Sequence, residues 1–351
     1  LGRSLLGLAE LARDDEDLDE AWERAHDSLG IVDDYGDRVG AASALERIAD
    51  LALALGETER ALRLLASSQR FHAETGIVRL RVQAERFDLA VQLQGGGRHS
   101  NPFVCRLGAR VTAGSQAPNA PPLDRTVPYT GHQHEIHRFL EVAALVGAIP
   151  VTLEPRLHVT ASDRAEAATV LANDDRPLVV LHPGANDSRR RWPVERLAVV
   201  GSELARKGAQ LAVVGTAAEQ PLVDRLVAGL DGDAANLAGR LGLGGLAGLL
   251  EQATLLVGND SGPRHLAAAV GTATVAVHWW VSLGTYGPLY RARHRAPTSW
   301  CLHCPVCGAN GLQGDCRTRH EASLVADVTV DEVLAEALDL LATETASASA
   351  G

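Results

Sequence analysis

The chain has 351 residues, 46% hydrophobic and 22% charged, a balance typical of soluble globular proteins and a length that allows two or three domains. A formal net charge of −11 argues against nonspecific nucleic-acid binding, which needs a basic surface to neutralise phosphates. No apolar run reaches about 18 residues and no basic start precedes an apolar stretch, so neither a spanning helix nor a signal peptide is expected, and the default compartment is the cytoplasm.

The sequence opens at Leu1 and holds no Met, as a fragment or processed product would. Residues 1–77 read as helices, with Leu5, Leu8, Ala9, Leu11 and Ala12 at helical spacing. At an offset of 40 residues, Leu8, Ala9, Leu11 and Ala12 match Ile48, Ala49, Leu51 and Ala52. Self-similarity at such a period marks stacked helix pairs, and the stretch resembles tetratricopeptide-like repeats. A scaffold for an unnamed protein partner and a short helical remnant are both open readings.

A second character begins near Arg86. Phe87–Leu93 alternates like a strand, Gln94–Gly97 is a glycine-rich turn, Pro118–Pro128 is a proline-rich loop, and residues 134–147 form a helix ending at Gly147. From Leu178, short apolar strands alternate with longer helices. Strands are expected at Leu178–Leu181, Gln210–Val214, Thr254–Val257 and Thr274–Val277. Helices are expected at Val194–Lys207, Pro221–Leu230, Leu243–Gln252, Gly262–Val270 and Val330–Leu341. This rhythm implies an α/β fold with a parallel sheet covered on both faces. The domains divide as 1–77 helical repeat, 78–172 partial α/β domain, 173–345 second α/β domain and 346–351 disordered tail.

Three features fall at strand ends, where open α/β sheets bind ligands. His182-Pro183-Gly184-Ala185 leads to Arg189-Arg190-Arg191-Trp192-Pro193, offering a close backbone approach and guanidinium forks for phosphate. Gly215-Thr216-Ala217-Ala218-Glu219 ends in a carboxylate able to accept from ribose hydroxyls. Gly258-Asn259-Asp260-Ser261-Gly262-Pro263-Arg264-His265 joins a strand to a helix whose amino end can hold an anion, although Asp260 reads equally well as a helix cap. A basic stretch, Gly284–Arg295, has no derivable place relative to these.

In this order and spacing the motifs resemble glycosyltransferase family 9, the heptosyltransferase family, over about residues 86 to 341. The resemblance implies a GT-B fold of two Rossmann-like domains, the first incomplete here and preceded by the all-α repeats. It implies a nucleotide-diphosphate sugar donor such as ADP-heptose, and a glycan or lipid-linked, lipopolysaccharide-type acceptor. It further implies a chain without a transmembrane segment, peripheral at the inner membrane face, and inverting displacement that needs no catalytic cofactor. Donor-binding residues would be Gly184, Ala185, Arg190, Glu219, Asp260, Ser261, Gly262, Pro263 and His265. Arg190 stands where the family often has a phosphate-contacting lysine, Glu219 takes the ribose, and Asp260 to His265 line the diphosphate and sugar. On the acceptor side Gly96, Gly97, Asn101 and Glu135 match the later part of the first domain. The family's opening loop, which carries the general base, is not recognisable, so no catalytic base is assigned, and Asp88 reads as structural.

Cys301, Cys304, Cys307 and Cys316, with His320 nearby, have spacings that suit a structural zinc; an iron–sulfur cluster, thiols in a mobile loop and a redox-labile disulfide are the alternatives. Two other functional readings stand beside transfer. One is a GT-B sugar-nucleotide 2-epimerase. The other is a non-catalytic repeat protein with a degenerate sugar-nucleotide domain.

Overall fold

Apolar runs of four or five residues without polar alternation can be satisfied only by strands covered on both faces, and the carboxy-terminal sheet is built from such strands. A computed structural model of the chain describes residues 87–171, 174–310 and 320–350, with isolated positions between Glu23 and Ile48. The chain divides into two units, Leu1–Glu85 and Arg86–Gly351. In the first, the described positions are helical, with Ala25, Ala44 and Ile48 fully buried. Most of the expected repeat segment lies outside the described residues.

The second unit contains two parallel sheets. The smaller has the order β1 (Leu89–Gln92), β2 (Val111–Gln116), β3 (Arg125–Pro128), all parallel, with α1 (Ser100–Arg106) and α2 (Glu135–Ala144) following β1 and β3. The last strand occupies the end of the proline-rich stretch read as loop. Its Pro128 is tolerated because the strand is at a sheet edge, where no ladder donor is required.

The larger sheet contains β4 (Leu178–His182), β5 (Gln210–Val213), β6 (Ala234–Asn236), β7 (Leu255–Asn259), β8 (Ala273–Trp279), β9 (His294–Arg295) and β10 (Thr298–Ser299). Its order is β6-β5-β4-β7-β8-β10, with β9 also on β8, and all pairings are parallel. Alternate residues face opposite layers. Val179, Leu181, Leu211, Val213, Leu255 and Val257 pack with α4 (Val194–Arg206), α5 (Gln220–Ala228) and α9 (Val330–Ala350). Leu178, Val180, Ala212 and Leu256 pack with α3 (Ala161–Ala168), α6 (Leu243–Gln252) and α7 (Gly262–Val270). A further helix, α8 (Trp280–Tyr286), continues directly from β8.

Two helices of this unit differ instructively from the sequence reading. Helix α3 was missed because it is short; a Thr160–Asp163 capping box starts it, and Gly248 of α6 leaves no room for a β-carbon against the Asp163 backbone. Helix α9 runs to Ala350, past the expected disordered tail at 346, because alanine favours helix enough to carry the small-residue run.

Strand order reverses between β4 and β7: β5 and β6 lie to one side, β8 and β10 to the other. A crevice opens at the carboxyl ends of strands flanking such a reversal. His182 and Gly258 are register partners at that edge.

Candidate functional site

The crevice is assembled from three loops that the sheet brings together. Asn259, fully buried at the end of β7, accepts from the Trp192 backbone N–H at 2.9 Å and donates to the carbonyls of Pro183 and Gly184 at 2.8 and 3.2 Å. One side chain therefore fixes the His-Pro-Gly-Ala turn and the end of the basic loop. The Trp192 indole is buried and donates to the Val328 carbonyl at 3.0 Å.

A cavity of about 520 Å³ lies over these turns, within the range of small-ligand pockets. Leu237, Leu241 and Leu246 form an apolar side; His182, Thr216, Glu219 and Ser261 are polar, and Gly262 and Pro263 bring the start of α7 to its wall. The N-cap of that helix is Ser261, whose hydroxyl makes no capping bond and lies 3.1 Å from both His182 Nδ1 and the Asn259 carbonyl. The helix thus presents its amino end to the cavity.

Glu219 is positioned by a capping box: its Oε2 accepts from the backbone N–H and hydroxyl of Thr216 at 2.8 and 2.9 Å. Its carboxyl is held down at about 2, first by the His182 imidazole and then, against the effect of burial, by the Thr216 donors. At 3.9 Å the His182–Glu219 contact is longer than a hydrogen bond, so Thr216 gives the firmer hold. Gly184 faces this carboxylate so closely that any β-carbon would overlap Glu219 Oε1.

Next to the cavity sits a charge cluster. Arg190 Nη2 donates to Asp260 Oδ2 at 2.8 Å and to its carbonyl at 2.9 Å. Arg264, buried, donates to Asp260 Oδ1 at 3.1 Å and to the Tyr286 carbonyl at 2.8 Å. The ring nitrogens of His265 and His278 approach Oδ1 to 3.7 and 3.4 Å. Burial alone would raise the Asp260 carboxyl; His278, Arg264 and Arg190 outweigh it and hold the group below its usual value. Partial desolvation of His265, whose side chain is still 49% exposed, and then the Arg264 charge push it down to about 4; burial also lowers His278. Asp260 is therefore no helix cap. Its carboxylate is spent on two guanidinium groups because both cations need a counter-charge where water is scarce.

All nine donor-side candidates lie around the β4–β7 switch point. Ala185, Glu219, Ser261, Gly262 and Pro263 line the cavity, Gly184 packs beneath Glu219, and Arg190, Asp260 and His265 form the adjoining cluster. The acceptor-side candidates are tied into the fold. Gly97 has φ +86 and no space for a β-carbon beside the buried Asn101 amide, which donates to the Pro121 carbonyl at 2.9 Å. Gly96 packs on Ala117 and Tyr129. Glu135 pairs with buried Arg138, whose guanidinium lies 4.4 Å from the Tyr129 ring centroid. His134 Nε2, at the N-cap of α2, is 2.8 Å from the carbonyl of Gly287, the residue after the Tyr286 whose carbonyl Arg264 grips.

Sequence reasoning missed Asn259 as an organiser and His278 as part of the charge cluster. A signal existed for the second: a titratable residue in the otherwise uncharged, buried strand Ala273–Trp279. The leucine side was also missed. In the unplaced stretch Gly284–Arg295, Arg293 pairs with Glu344 and Arg295 with Asp339 of α9.

Among the cysteines, Cys304, Cys307 and His320 bring one ligand atom each within 4.8 Å of the others, a group able to hold a metal ion. Cys301 points elsewhere, its thiol 3.0 Å from the His303 carbonyl. Cys316 lies outside the described residues.

The model of glycosyltransferase family 9 (heptosyltransferase) matches residues 77–304, which include every donor-side candidate. The chain belongs to glycosyltransferase family 9. Lipopolysaccharide heptosyltransferase 2 of Salmonella typhimurium is 28% identical over 199 residues, covering 55% of this chain and 55% of that protein. The family 9 glycosyltransferase of Veillonella parvula superposes with a TM-score of 0.60 at 20% identity, covering 74% of this chain and 75% of that one. Escherichia coli ADP-heptose heptosyltransferase II gives 0.56 at 22%, covering 75% and 79%. These likenesses give this family 9 chain the GT-B type of mixed α/β fold with parallel sheets. It spans between 38% and 56% of the length of the sequence relatives it matches. Among the described residues, no helix is long and apolar enough to cross a membrane.

Proposed function

We propose that the chain binds a nucleoside-diphosphate sugar of the ADP-heptose class in the β4–β7 crevice. Its reaction is transfer of the sugar, with inversion, to a glycan or lipid-linked acceptor of the lipopolysaccharide type. The observation that carries this reading is the placement of an apolar wall, an anchored carboxylate and a helix amino end around one cavity beside the Arg190–Asp260 pair.

Each part suits one part of the donor. The leucine side takes the base, Glu219 accepts from the ribose hydroxyls, and the first turn of α7 faces the diphosphate. Arg190 and Arg264 against one Asp260 carboxylate leave a net positive charge. That surplus, in a site partly closed to water, offsets the negative charge growing on the departing diphosphate. No metal is needed for that step. A cytoplasmic setting at the inner membrane face belongs to the same reading, as heptosyltransferase relatives act on lipopolysaccharide by name.

The reading is tested by titrating the purified chain with ADP in a calorimeter and by following ADP release from ADP-heptose with and without a lipopolysaccharide acceptor. Saturable ADP binding with acceptor-dependent release supports transfer. ADP binding without release on any acceptor reduces the chain to a donor-binding module, and absence of ADP binding overturns the reading.

A further inference from the structure

Residues 303–310 form a narrow hairpin. His303 and Asn310 pair antiparallel, the Cys304 N–H donates to the Ala309 carbonyl at 2.8 Å, and the Gly308 N–H donates to the Cys304 carbonyl at 2.9 Å. Gly308 closes the turn at φ +71, in the left-handed region where a side chain is strained. The turn carries two thiols separated by two residues, and His320 adds an imidazole, whose Nδ1 is 3.8 Å from Cys304 Sγ. Two thiols and an imidazole are the soft and intermediate donors that suit zinc, which prefers four ligands in a tetrahedron. Zinc bonds of about 2.3 Å to sulfur and about 2.0 Å to nitrogen put ligand atoms roughly 3.5 to 3.8 Å apart. The observed spread of up to 4.8 Å therefore closes with shifts on the order of an ångström.

The chain beyond His320 leads straight to the donor site. The Ser323 hydroxyl donates to the Arg191 carbonyl at 2.7 Å, and the Leu324 N–H donates to the Arg189 carbonyl at 2.7 Å. These bonds bracket Arg190. The near side of the loop is fixed as well: the Trp279 indole donates to the Cys301 carbonyl at 2.7 Å, and the Ser299 hydroxyl donates to the Leu324 carbonyl at 2.7 Å.

We propose that Cys304, Cys307 and His320 bind one zinc-class divalent cation, and that this cation braces the Arg189–Arg191 backbone that presents Arg190 to the donor. Binding takes both cysteines as thiolates, their protons passing to solvent, and a water or a fourth protein donor completes the tetrahedron. Joining the hairpin to His320 ties Cys304 and Cys307 to the segment that enters Ser323. The strand of chain at Ser323–Leu324 then has fewer ways to leave the arginine carbonyls. The bracing rests on the donor-site reading; the cation site does not.

The test begins with the full chain purified reduced and exposed to zinc chloride, then desalted and analysed for metal. About one zinc per chain is expected, falling to background in C304S/C307S and sharply in H320A. C105S and C301S should retain it, since neither thiol belongs to the cluster. Cobalt in place of zinc should give the visible absorption of a tetrahedral thiolate site. Wild-type protein that holds no zinc, full retention in C304S/C307S, loss in C301S, or an iron–sulfur chromophore would each overturn the site. Chelator-stripped wild type, checked for unchanged far-ultraviolet dichroism, should bind ADP about 5- to 10-fold more weakly than the zinc-loaded form and regain affinity with zinc. Equal ADP affinity in both forms overturns the bracing. Zinc bound at one per chain with no ADP binding in either form overturns the donor reading and the bracing with it, and leaves the cation site standing.

Discussion

Arg190 and Asp260 meet beside the cavity mouth with Arg190 Nη2 within 3 Å of both the carboxylate and the carbonyl of the same aspartate. They come from loops 70 residues apart, after β4 and after β7. The arginine is 31% exposed and the aspartate 4%. This difference in exposure means that the two partners respond differently to removal.

Arg190→Ala should weaken ADP binding about 10- to 100-fold, the worth of a charge-assisted bond to phosphate. Its effect on the unfolding midpoint should be small, because Asp260 keeps Arg264 as a partner. Calorimetry paired with thermal denaturation checks both halves. Arg190→Lys should recover part of the affinity, since lysine keeps the charge and loses the fork.

Asp260→Asn should be the costlier change for the fold. It removes the counter-charge of Arg264, which is 3% exposed, and breaking a buried pair from one side costs about 3 kcal/mol or more. Urea denaturation should show the loss; an unchanged midpoint would mean that the Tyr286 carbonyl suffices for Arg264.

Gly184→Ala should damage the site without any change of charge. Its β-carbon would overlap Glu219 Oε1 and sit 2.9 Å from His182 Nε2, so the turn or the carboxylate must move. A stability loss of about 1–3 kcal/mol is expected from overpacking, with weaker ADP binding in calorimetry.

Acid should act in two ranges. His265 and His294 are both pushed down to about 4, by burial first and then by the charge of Arg264. The unfolded chain takes up these protons near pH 6.5 while the folded one resists, so their stabilisation is complete above about pH 6.5 and declines as pH falls toward about 4. Glu219, held at about 2 against an ordinary 4.5, contributes fully above about pH 4.5 and loses that contribution as pH falls further. Denaturation midpoints followed from neutral pH downward should fall in the upper range for wild type and less steeply for H294N. Glu219→Gln should flatten only the lower range.

Much of the larger sheet was legible because its physics is local. Leu243–Gln252 and Gly262–Val270 were read to the residue, since a helix between two short apolar strands leaves few other ways to bury both faces. Strand β2 and helix α3 were not legible. Val111–Gln116 contains Gly and polar residues whose burial depends on neighbours, and α3 is held by a close glycine contact with α6. Asn259 looked like any polar residue after a strand, and nothing in its neighbours announced bonds to Pro183 and Trp192.

By itself the sequence determined the core strands and most helices of the larger sheet, and which loops carry glycine, arginine and carboxylate at strand ends, because those properties follow from the periodicity and chemistry of adjacent residues. Only the tertiary structure decided that β4 and β7 lie side by side, and with it that Asp260 pairs with Arg190 and Arg264 instead of capping a helix. Strand order joins residues remote along the chain, and the cost of leaving a buried charge unpaired is settled only once those residues share one low-dielectric space.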